Sequence, residues 1–236
     1  KTSQVKNPVL SLNGEWQFQF DKQSDWTPIQ VPGEAVMQGY GIEHDKSFFY
    51  KRKFTLPKDF KGKKIVLRFD GVYSQATLNI NGKIIRTHKG GFTRWETDIS
   101  PYVNFDKENE VFLEVQDKLD DISYASGYAH HPIGGILRDV TLFATATNSI
   151  HDFGVETDLD QHFKNAVLKL NYTLEEAQGV TVHYALYDSK NNLVPESEQQ
   201  FIVNKGHNSN SFPIANPLKW DAEHPNLYRL DVKIKK

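Results

Sequence analysis

The 236-residue chain has no cysteine, one methionine and a net charge of only −2. No apolar run approaches the ~18 residues that would span a bilayer. Each shortage excludes something. Without cysteine there is no disulfide framework, no thiol nucleophile and no cysteine-ligated metal. Near-balanced charge leaves no basic footprint for nucleic acid or an anionic membrane, so neither nucleic-acid binding nor membrane insertion is expected. Phosphate-cradling glycine loops, a nucleophile elbow and helical zinc motifs are missing too. No window carries a long amphipathic helical pattern.

What the chain does have is aromatic, alternating sequence. Hydrophobic residues are 38% and aromatics 12%, with fifteen Phe and ten Tyr. Ile65, Leu67 and Phe69 share one parity, as do Val111, Leu113 and Val115, or Val140 and Leu142. Asn81-Gly82, between Leu78/Ile80 and Ile84/Ile85, is a two-residue hairpin signal. Such runs recur with Gly, Pro and Asn between them and predict an antiparallel sandwich of jelly-roll type with one or two short helical turns. Short polar residues from Thr145 to Ser149 read as a domain joint. Beyond it VLKLNYTL, VTVHYALYD, QQFIVN and LYRLDVKI predict an immunoglobulin-like sandwich of six or seven strands. The expected fold is all-β: a jelly roll over 1–147, then an immunoglobulin-like domain over 148–236.

Chemistry is sparse. Asp120-Asp121 and Glu175-Glu176 are neighbours, which on an extended chain point to opposite faces. Glu196 and Glu198 share a parity, but nothing nearby would separate their pKa values, so they read as a solvated strand face. In HHPIGGILRDV, residues 130–140, the two histidines diverge if extended and find no third ligand at metal-like spacing. Pro132 disfavours helix at His131, and Gly134 and Gly135 permit positive φ or close backbone approach. The stretch reads as a sharp loop turning into a strand, a place where ligand contacts also sit. Trp16 reads as core; Trp26 and Trp95 fit either core or a sugar platform; Trp220 is expected to pack at the start of the last strand.

Seven motifs in order then carry a resemblance: SLNGEWQF (11–18), VPGEAVMQGYG (31–41), FFYKRKFTLP (48–57), LRFDGVYSQATLNINGK (67–83), GGFTRWETDISPYV (90–103), PIGGILRDVTL (132–142) and LKWDAEHPNLYRLDV near the end. Together they resemble glycoside hydrolase family 2, in its bacterial β-galactosidase form. The resemblance implies a jelly-roll sugar-binding domain, an immunoglobulin-like domain and then a (β/α)8 barrel bearing the acid/base and nucleophile glutamates. It implies a fragment without that C-terminal barrel, hence no catalytic residue, metal or cofactor in this chain. It implies a carbohydrate substrate for the intact enzyme and allows a homo-oligomer, with a periplasmic or secreted location favoured over a cytoplasmic one. In such β-galactosidases an asparagine after DGV contacts the sugar; here that position is Tyr73. An acidic residue before RDV helps bind sugar and sodium; ungapped counting places Ala129 there, beside His130 and His131. The candidate substrate-binding residues are therefore Tyr73, His130 and His131. The alternatives are a free-standing carbohydrate-binding module, or a fragment of a β-glucuronidase or β-mannosidase.

Overall fold

The computed structural model describes residues 7–118 and 133–235. Asp120, Asp121, Ala129, His130, His131 and Pro132 lie outside the described residues. The chain divides into two compact units, residues 1–145 and 146–236. Among the described residues every strand pairing is antiparallel and the only helices are three 3-10 turns, so the all-β expectation holds.

The first unit contains β1 (Val9–Ser11), β2 (Gly14–Gln19), β3 (Thr27–Val31), β4 (Ser47–Phe54), β5 (Lys64–Phe69) and β6 (Val72–Tyr73). It continues with β7 (Gln75–Ile80), β8 (Lys83–Lys89), β9 (Trp95–Asp98), β10 (Asn109–Gln116), β11 (Gly135–Ile136) and β12 (Val140–Thr145). A six-stranded sheet, β3-β2-β4-β10-β7-β8, accompanies a four-stranded one, β1-β12-β5-β9, with β6 and β11 as a short ribbon. The period-2 pattern sorts the side chains. Trp16 and Phe18 of β2 and Phe48 and Tyr50 of β4 turn inward, with Phe18 and Tyr50 edge-on at 5.2 Å. Burying each such side chain stabilises the fold by roughly 1.5–3 kcal/mol. On the opposite parity Phe49 stacks on Phe112, which meets Trp26, and the Lys51 ammonium caps the Trp26 ring at 3.7 Å. Trp95 is core, sandwiched between Phe69 at 4.6 Å and His88 at 5.1 Å. Asn81 and Gly82 both take positive φ, as the hairpin between β7 and β8 requires.

The second unit is made of β13 (Ile150–Leu159), β14 (Ala166–Leu174), β15 (Thr181–Tyr187), β16 (Gln199–Ile202), β17 (Gly206–Ile214) and β18 (Arg229–Lys235). Its sheets are β13-β14-β17 and β16-β15-β18. Leu168, Leu170, Tyr172 and Leu174 from β14 meet Val182, Tyr184 and Leu186 from β15. The Tyr172 hydroxyl donates to Asn210 Oδ1 at 2.5 Å. Two turns are fastened by aspartates: Asp160 accepts from the backbone of His162, Lys164 and Asn165, and Asp188 from that of Lys190 and Asn192. Glu196 and Glu198 lie before β16, not on it, and both are exposed on either side of the buried Ser197. Trp220 departs from expectation. It is 63% exposed, because its neighbours Asp221 to Asn226 fold into their own hydrogen-bonded turn and leave the ring outside.

Candidate functional site

The segment that follows the two histidines is threaded through the end of the first domain. Ala35 N–H donates to Gly134 O and Gly33 N–H to Ile136 O, both at 2.9 Å. On its other side Leu137 N–H donates to Gly71 O and Asp70 N–H to Asp139 O, both at 3.0 Å. Backbone therefore packs on both flanks, and the two glycines make room. A Cβ at Gly134 would fall 2.7 Å from Phe48 Cζ. Gly135 has φ +127°, and a Cβ there would fall 2.7 Å from the buried Tyr50 hydroxyl. The close approach expected of this pair is what the structure shows.

Tyr73 sits in the same place. Its ring is buried, and a Cβ at Gly91 would lie 2.0 Å from Tyr73 Cδ2, so the 90–94 turn rests directly on that ring. Phe92 packs on Tyr73 at 5.3 Å and is itself 43% exposed, which makes it the aromatic face this turn offers to solvent. Beyond Phe92, Arg94 Nε donates to Asp70 Oδ1 at 2.5 Å. His130 and His131 fall outside the described residues, so only Tyr73 of the three candidates has a described position.

Sequence reasoning missed a second set of groups here. Asp117, at the end of β10, is buried. Its Oδ2 lies 2.8 Å from His44 Nδ1, and its carboxylate also accepts from the Ile133 backbone N–H. Burial pushes the Asp117 carboxyl up, against the downward pull of His44 and that N–H. Ser74 joins the set: its N–H donates to Gln116 O, and its Oγ accepts from Lys118 N–H. Segments 44–45, 70–74, 91–94, 116–118 and 133–139 thus converge at one end of the sandwich. Nothing local in the sequence announces the His44–Asp117 contact, since its partners are far apart along the chain.

A cleft of about 530 Å³ opens at this end, lined by Pro32, Asp70, Arg94, Leu137, Arg138 and Asp139. Its groups can donate and accept hydrogen bonds against a small apolar wall. Among the described residues no group of three His, Asp or Glu could hold a metal ion.

Residues 9–146 match the family described as glycosyl hydrolases family 2, sugar binding domain, and residues 148–236 match glycosyl hydrolases family 2. The chain belongs to glycoside hydrolase family 2. Among curated family 2 relatives, it is 28% identical to a β-galactosidase of Priestia megaterium, over 95% of this chain and 26% of the relative. It is 28% identical to a putative β-glucuronidase of Formosa agariphila, over 98% of this chain and 27% of the relative. Of solved structures, a calcium-binding mutant of Bacteroides uniformis β-glucuronidase 2 superposes with a TM-score of 0.75 at 25% identity, covering 98% of this chain and 31% of that one. A Ruminococcus gnavus β-glucuronidase in complex with D-glucuronic acid gives 0.76 at 21% identity, over 100% of this chain and 44% of that one, and shares the fold. The chain spans roughly a quarter of the length of these curated family 2 relatives.

Proposed function

We propose that this chain is the non-catalytic N-terminal portion of a family 2 glycosidase that removes terminal β-linked sugars, a β-galactosidase by first choice. The observation that carries the reading is the match of residues 9–146 to the family's sugar-binding domain. The convergence of segments 70–74, 91–94 and 133–139 at one end of that domain supports it. In this reading Tyr73, His130 and His131 belong to a wall of the sugar pocket. Tyr73 acts through the turn it supports, presenting Phe92, and both catalytic glutamates come from a C-terminal barrel. Domains of 1–147 and 148–236 complete the proposal. A second reading, β-glucuronidase, is favoured by the Bacteroides uniformis structure and by the Formosa agariphila relative.

Two measurements test this. An antibody against the chain should detect, in source cells, a species several times heavier than 236 residues. That species, once captured, should hydrolyse aryl β-galactoside faster than aryl β-glucuronide. The reverse preference selects the second reading. A native species of this chain's own mass would overturn both and leave a free-standing binding module.

A further inference from the structure

We propose that the cleft beside the Asp70–Arg94 pair is a binding site for a sugar carrying an oxyanion, a carboxylate or a sulfate ester, with Arg138 as its anchor. The proposal rests on the reading that this domain faces carbohydrate, and it names the class.

Arg138 has no hydrogen bond or ion pair among the described residues, although two carboxylates line the same cleft. Both carboxylates have other engagements. Asp70 accepts from Arg94 Nε, and Asp139 accepts from Asn13 Nδ2 at 2.9 Å. Arg138 is nonetheless placed: its Cδ and Cγ would lie 3.4 and 3.5 Å from a Cβ at Gly71, so its stem runs against the bare glycine and its guanidinium is carried to the cleft. A side chain held by its stem loses less freedom when its head binds a ligand. Arg94 contributes only Nε to Asp70, and among the described residues its two terminal nitrogens have no partner, the side chain being 59% exposed.

The ligand class follows from the lining. A guanidinium presents parallel N–H donors matched to the oxygens of a carboxylate or sulfate. Asp139 carries a negative charge and would repel a bare anion, but it accepts hydrogen bonds from hydroxyls. A sugar supplies both kinds of group, with a C–H face for Pro32 and Leu137. The volume, about 530 Å³, lies within the range of about 300–1,000 Å³ usual for small-molecule sites. All six lining residues belong to the first domain.

The test is titration of the 236-residue chain, followed by amide NMR shifts and calorimetry, with D-glucuronate, glucose 6-sulfate, glucose, methyl glucuronate ester and inorganic sulfate. The expected result is millimolar binding of the two anionic sugars, shifts at Gly71, Leu137 and Arg138, and weakening by salt. Arg138→Gln should weaken binding by about tenfold, the loss of one charge-assisted contact. Because the Arg138 guanidinium has no hydrogen bond or ion pair among the described residues, and Gln keeps much of the stem over Gly71, that variant should melt like the parent. Arg138→Lys should fall between the two. Equal binding of glucose, an unchanged affinity in Arg138→Gln, or no saturable binding of either anionic sugar would overturn the proposal. Sulfate binding as tightly as glucuronate would also overturn it, by showing an ion site only. The glucuronate and glucose 6-sulfate arms separate the two sources of the oxyanion. Turnover is not read, so failure of the glycosidase assignment and failure of this site remain distinguishable.

Discussion

Trp16 and Trp220 carry the same side chain to opposite fates. In the first domain Trp16 is 1% exposed, its indole N–H donating to Leu12 O at 2.7 Å. In the second domain Trp220 stands mostly in solvent beside Leu218 and Leu227, also exposed. The contrast extends to the rest of each unit. The first has a single aromatic core reaching to its ends, where glycines let backbone press on Phe48, Tyr50 and Tyr73. The second has a smaller core of alternating Leu, Val and Tyr, and aspartates fasten two of its turns through local backbone hydrogen bonds. A domain packed to its loops can hold ligand groups in fixed positions, whereas one fastened by local turns tolerates variation outside its core.

The largest expected break in this contrast comes from the tryptophans. Trp16→Ala should cost the first domain about 3–5 kcal/mol, while Trp220→Ala should stay within about 0.5 kcal/mol. Denaturant unfolding followed by fluorescence and by far-UV dichroism measures both, and equal losses would dissolve the distinction.

Glycines give the next effect. Gly134→Val must displace Phe48 and should cost about 1–3 kcal/mol or more. Gly179, at φ +68° with nothing within 4 Å of a Cβ, should pay only backbone strain when changed to Ala, of order 1 kcal/mol. Thermal melts of the two variants rank them.

Smaller again is Tyr172→Phe, which removes the hydroxyl bonded to Asn210. The second domain should lose about 0.5–1.5 kcal/mol while the first is unmoved. Unchanged stability would mean that water replaces the bond at no cost.

The smallest effects are in pH. Burial, with help from the neighbouring Arg86 charge and against the hydrogen bond that His88 Nε2 donates to the Gly90 carbonyl, holds His88 below its usual 6.5. Its neutral form is favoured in the fold, so that stability is present above pH 6.5 and is lost as pH falls through the lower folded value. Melting of the first domain should decline on mild acidification, and His88→Gln should flatten the decline. In the second domain Asp160 is held below 3.8 by backbone N–H donors, first that of Lys164. Its contribution is present above 3.8 and lost only as pH falls through the depressed value, so Asp160→Asn should lower melting slightly at neutral pH, and its difference from the parent should shrink in the acid range.

Parts of the fold were legible because they are local. Asn81-Gly82 set its hairpin, and parity alone put Trp16 and Phe18 inside. β17 was not legible: His207 to Ser211 are small and polar, and the strand exists because β14 pairs with it along its full length. Trp95 was ambiguous because its partners, Phe69 and His88, come from other strands. At the site, the glycines of the 134–135 pair were readable from residue type. Arg138 over Gly71 and His44 beside Asp117 were not, since each contact joins residues more than sixty positions apart in the chain.

Asn13 ties the turn after β1 to the last strand of its domain: its Oδ1 accepts from Val140 N–H at 2.9 Å, and β1 pairs Val9 with Phe143. The consequence is one of timing. On a ribosome the first strand emerges early, yet its partner is made more than a hundred residues later. Until then its edge has no mate, and the four-stranded sheet cannot close. Such long-range closure is slow and leaves strand edges open to the wrong neighbour. The earliest synthesised part of this domain is therefore among the last to be secured.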